Sequence, residues 1–166
     1  MFHSFRLQGL LESPEAFGST YEEESVLSAE MVKNRFSCTD EQFVLGAFGT
    51  DGGLVGVAGF LREKKLKLRH RGMIWGMYVD PRHRGEGVGK ALLRAIIEKC
   101  SPLPGLEQIL LDVVIGKEAA RHLYLSHGFQ ISSHVERVMK HNEVYYDVEH
   151  MVLHLPHISK PAKQLS

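Results

Sequence analysis

Cysteine is scarce in this chain: Cys38 and Cys100 are the only two among 166 residues. They lack the C-x-x-C spacing of a zinc or dithiol site. Two cysteines do not make a disulfide scaffold, so a reducing cytoplasm is the expected compartment. Long apolar runs are absent too, and none approaches the roughly 20 residues that span a bilayer. Met1-Phe2-His3-Ser4-Phe5-Arg6 lacks the basic-then-apolar order of a signal peptide. The chain reads as soluble. Nor is there an excess of one charge: Lys plus Arg and Asp plus Glu are both 20. That balance gives no global argument for nucleic acid or membrane as a partner. Ten histidines are present, but none shows metal-ligand spacing with a third ligand, so no metal is expected.

What is present fits one domain with one core. Phe2, Phe5, Leu7, Leu10 and Leu11 have helical spacing, which ends near Ser13-Pro14. Ser28 is placed to cap a second helix through Phe36. Strands are expected at Gln42–Phe48, Leu54–Arg62 and Arg71–Val79, the first two joined by the turn Asp51-Gly52-Gly53. A helix over Lys90–Cys100 follows, then a strand over Gln108–Ile115. A helix over Lys117–His127 closes at Gly128. Strands over Phe129–Met139 and Val144–Leu155 complete the set. This order predicts a single α/β domain over residues 1–155, a mixed and mostly antiparallel sheet flanked by helices. Residues 156–166 are expected to form a loose tail. Arg62, Lys64, Lys65, Lys67, Arg69 and Arg71 read as a solvated basic connection.

Between the third strand and its helix stands Arg84-Gly85-Glu86-Gly87-Val88-Gly89. Alternating glycines let a backbone turn sharply and approach a ligand. The helix that follows presents unpaired N–H groups and the positive end of its dipole. With Arg84 as a fixed cation, this is an anion site sized for phosphate. It is not a P-loop, because Gly89-Lys90 is followed by Ala91 and Arg84 stands where the first glycine belongs. Its G-x-G-x-G spacing is not the G-x-G-x-x-G of a dinucleotide site. Spacing alone fits an ordinary glycine-rich turn equally well.

The wider stretch from Trp75 to Leu93 resembles the acyl-CoA-binding core of the GNAT acetyltransferases, whose Arg/Gln-x-x-Gly-x-Gly/Ala pattern is met by Arg84, Gly87 and Gly89. A second block, Ala120-Arg121-His122-Leu123-Tyr124 followed by Gly128-Phe129, stands in the family order. The segments Pro14–Glu24 and Tyr145-Tyr146-Asp147 are similar to a bacterial, small-molecule branch of the family.

The resemblance implies a GNAT-like fold, acetyl-CoA as cosubstrate, and transfer to a primary amine of a small molecule. It implies that the backbone of Met77 and Val79 pairs with the pantetheine arm. It further implies that the N–H groups of Arg84, Gly85, Glu86, Gly87, Val88 and Gly89, with Lys90, hold the pyrophosphate. Tyr124 would protonate the departing thiolate. Two departures stand out. Lys117 occupies the place of the family's usual Asn, where it could meet a phosphate or carbonyl. The family also has a strand before the first helix, and here Met1 lies almost inside that helix. That strand is expected to be missing, which bares a sheet edge and is compatible with a homodimer.

Attack by an amine also requires a proton acceptor, since a lysine-like amine has a pKa near about 10.4. The strand before the glycine segment carries no carboxylate between Arg69 and Val79. Glu22, Glu23 and Glu24 lie in a stretch, Leu7 to Val32, without Lys or Arg. They could attract a cationic amine, and Glu24 is the candidate base; a solvated acidic face is the plainer reading. Two alternatives remain open: a degenerate acyl-CoA sensor, and an acetyltransferase acting on protein N-termini or lysines.

Overall fold

The computed structural model describes residues 1–156, so the expected tail lies, apart from Pro156, outside the described residues. The chain runs α1 (Phe2–Glu12), a 3-10 turn (Pro14–Ala16), α2 (Tyr21–Ser25), α3 (Ala29–Arg35), β1 (Gln42–Phe48), β2 (Leu54–Arg62) and β3 (Arg71–Val79). It continues through α4 (Val88–Cys100), β4 (Gln108–Val114), α5 (Glu118–Ser126), β5 (Gln130–His141) and β6 (Val144–His154). The six strands form one sheet in the order β1-β2-β3-β4-β6-β5. The predicted mixed α/β architecture is the observed one.

Every strand pair is antiparallel except β3–β4. That pair is parallel because α4 carries the chain back over the sheet, the crossover a parallel pair requires. The hairpins keep their partners through short turns. Among the described residues no strand precedes α1, and β1 and β5 are the sheet edges.

Alternating side chains divide the core between two faces. Phe43, Phe60, Ile74, Ile109, Leu111 and Met151 point to the face covered by α4 and α5. The helix α4 answers with Leu92, Leu93, Ile96 and Cys100, all buried. Each such side chain stabilises the fold by about 1.5–3 kcal/mol. Phe5, Leu10 and Phe17 cover the other face over Val57 and Tyr78.

Three details differ from the sequence expectation. The α4 helix begins at Val88, two residues before Lys90, because Gly87 ends the loop in a left-handed conformation. A short helix, α2, interrupts the segment after Pro14. It is fixed by a capping box in which Thr20 and Glu23 exchange side-chain and backbone hydrogen bonds. Five residues are too few for apolar periodicity to announce it. Finally, Arg62 is not part of a solvated hairpin. It is buried, and its guanidinium donates to the carbonyls of Arg69 (2.7 Å) and Pro104 (2.8 Å) and pairs with Glu41.

Candidate functional site

The parallel strands β3 and β4 hydrogen-bond only from Arg71–Gln108 to Met73–Leu110. Beyond that point they separate. A bulge helps: two β3 residues, Gly76 and Met77, oppose Ala58 alone of β2. Gly76 takes φ +61°, and a Cβ there would stand 2.7 Å from Nη1 of Arg6. Glycine is therefore required by both conformation and space. The gap opens into a cavity of about 810 Å³. Met77, Tyr78 and Val79 line one side, and Asp112, Val113 and Val114 line the other. That volume lies within the roughly 300–1,000 Å³ typical of small-molecule sites.

The glycine loop forms the rim of this cavity. Asp80 starts it, accepting from the backbone N–H of Arg82 at 2.9 Å and from its guanidinium at 2.7 Å. These hydrogen bonds, side chain first, hold the Asp80 carboxyl at about 2. The chain then turns through Gly85 and Gly87, at φ +80° and +83°, where an added Cβ would meet nothing within 4 Å. The first intrahelical bond of α4 runs from Ala91 to Gly87, so the N–H groups of Val88, Gly89 and Lys90 begin the helix without intrahelical acceptors. Gly85, Gly87, Val88, Gly89 and Lys90 all line the cavity. Open space over the glycines, helix N–H donors and two basic side chains fit a pyrophosphate. Arg84 is also a strut: its Nε donates to the carbonyl of Val79 at 3.1 Å. Glu86 faces outward and is held by His83 at 3.0 Å.

Tyr124 comes from α5 and enters the same cavity. It is 7% exposed, packs against Phe129, and its hydroxyl donates to the sulfur of Met77 at 3.4 Å. Burial pushes the phenol up to about 12. It is thus a protonated donor at any physiological pH.

Glu24 departs from expectation. Its carboxylate is 1% exposed and accepts from Arg6 at 2.6 and 2.7 Å and from Ser19 at 2.6 Å, with Arg35 at 2.8 Å. Burial alone would raise its pKa, but the hydrogen bonds from Arg6 and Ser19 and the two positive charges prevail and hold it at about 2. So low a proton affinity makes a poor base, and Glu24 lines neither this cavity nor the second one described below. It neutralises Arg6, whose guanidinium stacks between Phe17 and Trp75 at 5.2 and 5.4 Å. Trp75 is part of this packing.

Lys117 reaches the cavity wall, but its ammonium pairs with Glu15 of the 3-10 turn. The pair ties α5 to the segment after α1 across the open end of the splay. Glu12 likewise accepts from the hydroxyl of Tyr78. Within the acidic stretch Glu12, Glu22, Glu23 and Glu30 are exposed, as a solvated face requires, while Glu15 and Glu24 are paired with cations.

The sequence reading gave no site role to Ser13, Ala16 or Asp112, which also line the cavity. Asp112 did carry a signal, a lone charge inside the apolar run Ile109–Ile115. A second cavity of about 350 Å³ lies behind the 3-10 turn, bounded by Tyr21, Glu22, Lys140, His141 and Tyr146.

Comparison with known proteins agrees with this geometry. The family description "Acetyltransferase (GNAT) family" matches residues 10–129. A GNAT acetyltransferase from Streptococcus pneumoniae superposes with a TM-score of 0.81 at 26% identity, covering 93% of this chain and 92% of that one. A protein from Salmonella typhimurium, solved with its cofactor acetyl-CoA, shares the fold with a TM-score of 0.75 at 18% identity, over 98% and 91% of the two chains. The L-amino acid N-acetyltransferase of Escherichia coli is 31% identical over 77 residues, 46% of this chain and 48% of that protein. The chain spans 39% to 59% of the length of the curated relatives it matches. With the family pattern covering most of the chain and a glycine loop set on a parted sheet, this protein belongs to the GNAT acetyltransferase family.

Proposed function

We propose that this chain transfers an acetyl group from acetyl-CoA to a primary amine of a small molecule, by direct attack while both substrates are bound. The observation that carries this reading is the single cavity that joins the α4 N-terminus to Tyr124 through the parted strands β3 and β4. Acetyl-CoA supplies the activated thioester. The N–H groups of residues 85–90 and the side chains of Arg84 and Lys90 hold its pyrophosphate. The exposed backbone of Met77 and Val79 receives the pantetheine arm where β4 has moved away. Tyr124 delivers a proton to the departing sulfur, and its burial keeps that proton in place until charge develops. Lys117 acts by holding Glu15 and the 3-10 turn against the cavity.

The same cavity reaches Ser13 and Ala16 on the α1 side. The acceptor therefore has its own approach, from the face opposite α4. Both cavities have the volume of small-molecule sites, which favours a small amine over a protein chain. The Escherichia coli relative, named for amino acids, supports an acceptor of that size. Two free cysteines fit a protein of a reducing compartment such as the cytoplasm, and residues 1–155 make up the acetyltransferase domain.

Titration with coenzyme A, followed by thiol release from acetyl-CoA with L-amino acids, polyamines and arylalkylamines, tests the proposal. Saturable binding with amine-dependent thiol release is expected. Tight binding with no release on any amine favours the sensor reading, which the engagement of Glu12, Glu15 and Glu24 by other side chains supports.

A further inference from the structure

The proposed reaction needs a group to take the amine's proton, and the family resemblance does not supply one. From the geometry we infer that Asp112 is that group, taking the ammonium's proton on one carboxylate oxygen while the Nδ1–H of His150 holds the other in position. The inference rests on the acetyltransferase reading above.

Position is the first argument. The last paired residues of β3 and β4 are Met73 and Leu110. Two residues on, pointing to the same face, are Trp75 and Asp112, at the crotch of the splay. Asp112 lines the cavity shared by Met77 and Tyr124. The α1-side face on which it lies is also the one the acceptor uses.

Pairing is the second argument. Asp112 is directly opposite His150 in the β4–β6 register, so both side chains share that face. The carboxylate and Nδ1 of His150 are 2.5 Å apart. Their side chains are 46% and 37% exposed, so the pair touches both cavity and solvent. The position of His150 is fixed from the other side as well, because Ser132 of β5 donates to its carbonyl at 3.0 Å.

Elimination is the third argument. Glu12 is held by Tyr78, Glu15 by Lys117, Glu24 by Arg6 and Arg35, Asp80 by Arg82, and Glu149 by Arg121. Among the described residues lining the main cavity, the carboxylates are Asp112 and Glu118. Glu118 sits in the first turn of α5 and not on the parted strands. Asp112 alone of the two accepts from an imidazole, which fixes one of its oxygens and leaves the other for the amine.

The protons balance as follows. The ammonium gives one proton to the free oxygen of the Asp112 carboxylate, whose other oxygen accepts from the Nδ1–H of His150, and the half-exposed carboxyl returns that proton to solvent. The neutral nitrogen then bonds to the acetyl carbon, and the carbon–sulfur bond breaks. The nitrogen loses a second proton by the same route as the amide forms. Sulfur takes one from Tyr124, which is reprotonated from solvent. Two protons leave nitrogen, one ends on sulfur, and one net proton is released.

The test uses acetyl-CoA and whichever amine of the panel above releases thiol fastest. Asp112→Asn should lower kcat by about 100-fold or more while coenzyme A affinity stays within about twofold. His150→Ala should lower kcat as well, and His150→Gln, which keeps a donor, should recover part of it. Added imidazole should restore turnover, since the site is half-exposed. Independently of turnover, with coenzyme A bound, adding the amine should shift the Cε1–H resonance of His150, identified by its loss in the variant. Wild-type kcat in Asp112→Asn or in His150→Ala, no rescue by imidazole, or an unmoved resonance overturns the assignment. Failure of the acetyltransferase reading looks different: the wild type binds no coenzyme A and releases no thiol with any amine, and this assignment falls with it.

Discussion

Tyr124 and Met77 meet across the parted sheet, the phenol of one donating to the thioether sulfur of the other at 3.4 Å. The contact fixes where the Tyr124 proton points within an otherwise apolar wall. Tyr124→Phe keeps the packing on Phe129 and removes only the proton. It should lower kcat by about 100-fold or more and leave coenzyme A affinity within about twofold. Because burial holds the phenol near 12, its ionisation should not shape the rate profile between pH 6 and 10. Wild-type turnover in the phenylalanine variant would remove Tyr124 from the mechanism.

The buried cluster of Arg6, Glu24 and Arg35 makes a prediction about stability. Glu24 is held below its ordinary value of 4.5, at about 2. A depressed carboxylate stabilises the fold fully above its unfolded pKa, and that contribution fades as pH falls from about 4.5 towards 2. Glu24→Gln leaves Arg6 buried without its carboxylate, which should cost about 3–5 kcal/mol at pH 7. Chemical denaturation across pH 2–7 checks this, and the gap between wild type and variant should narrow at the acid end. A constant gap would mean that the Glu24 carboxyl binds its proton equally well folded and unfolded, and that Arg6 and Ser19 do not hold it down.

Gly76 joins that cluster to the splay. Alanine there must accept φ +61° and a contact of 2.7 Å with Arg6. The two together should cost on the order of 2–3 kcal/mol, lowering Tm by roughly 5–10 °C. Coenzyme A affinity should fall as well, because Met77 and Val79 follow the bulge. An unchanged Tm would show that the bulge does not depend on glycine.

Much of this was legible in the sequence where a residue's role is local. The strands Gln42–Phe48, Leu54–Arg62 and Arg71–Val79 have the bounds their composition and turns predict, and the glycine loop sits at the start of its helix as its spacing requires. Partnerships between distant segments were not legible. Glu24 reads as one of three exposed glutamates until folding brings Arg6, Ser19 and Arg35 around it. Lys117 reads as a cation for a phosphate until Glu15 is beside it. Arg62 reads as part of a basic run until the loop at Pro104 closes over it. The Asp112–His150 pair depends on the β4–β6 register, which spans 38 positions of sequence.

The account rests most heavily on the loop from Arg84 to Gly89 as the seat of a pyrophosphate. Gly87→Asp tests it directly, since the position has open space for a side chain and the new carboxylate would stand among the N–H donors of α4. Calorimetric titration of coenzyme A into the wild type and the variant, with circular dichroism to confirm that both are folded, gives the answer. Saturable binding to the wild type and a loss of at least about 100-fold in the folded variant, roughly 2.7 kcal/mol, is the predicted result. Equal affinity in the two proteins would place the anion elsewhere and contradict the central claim.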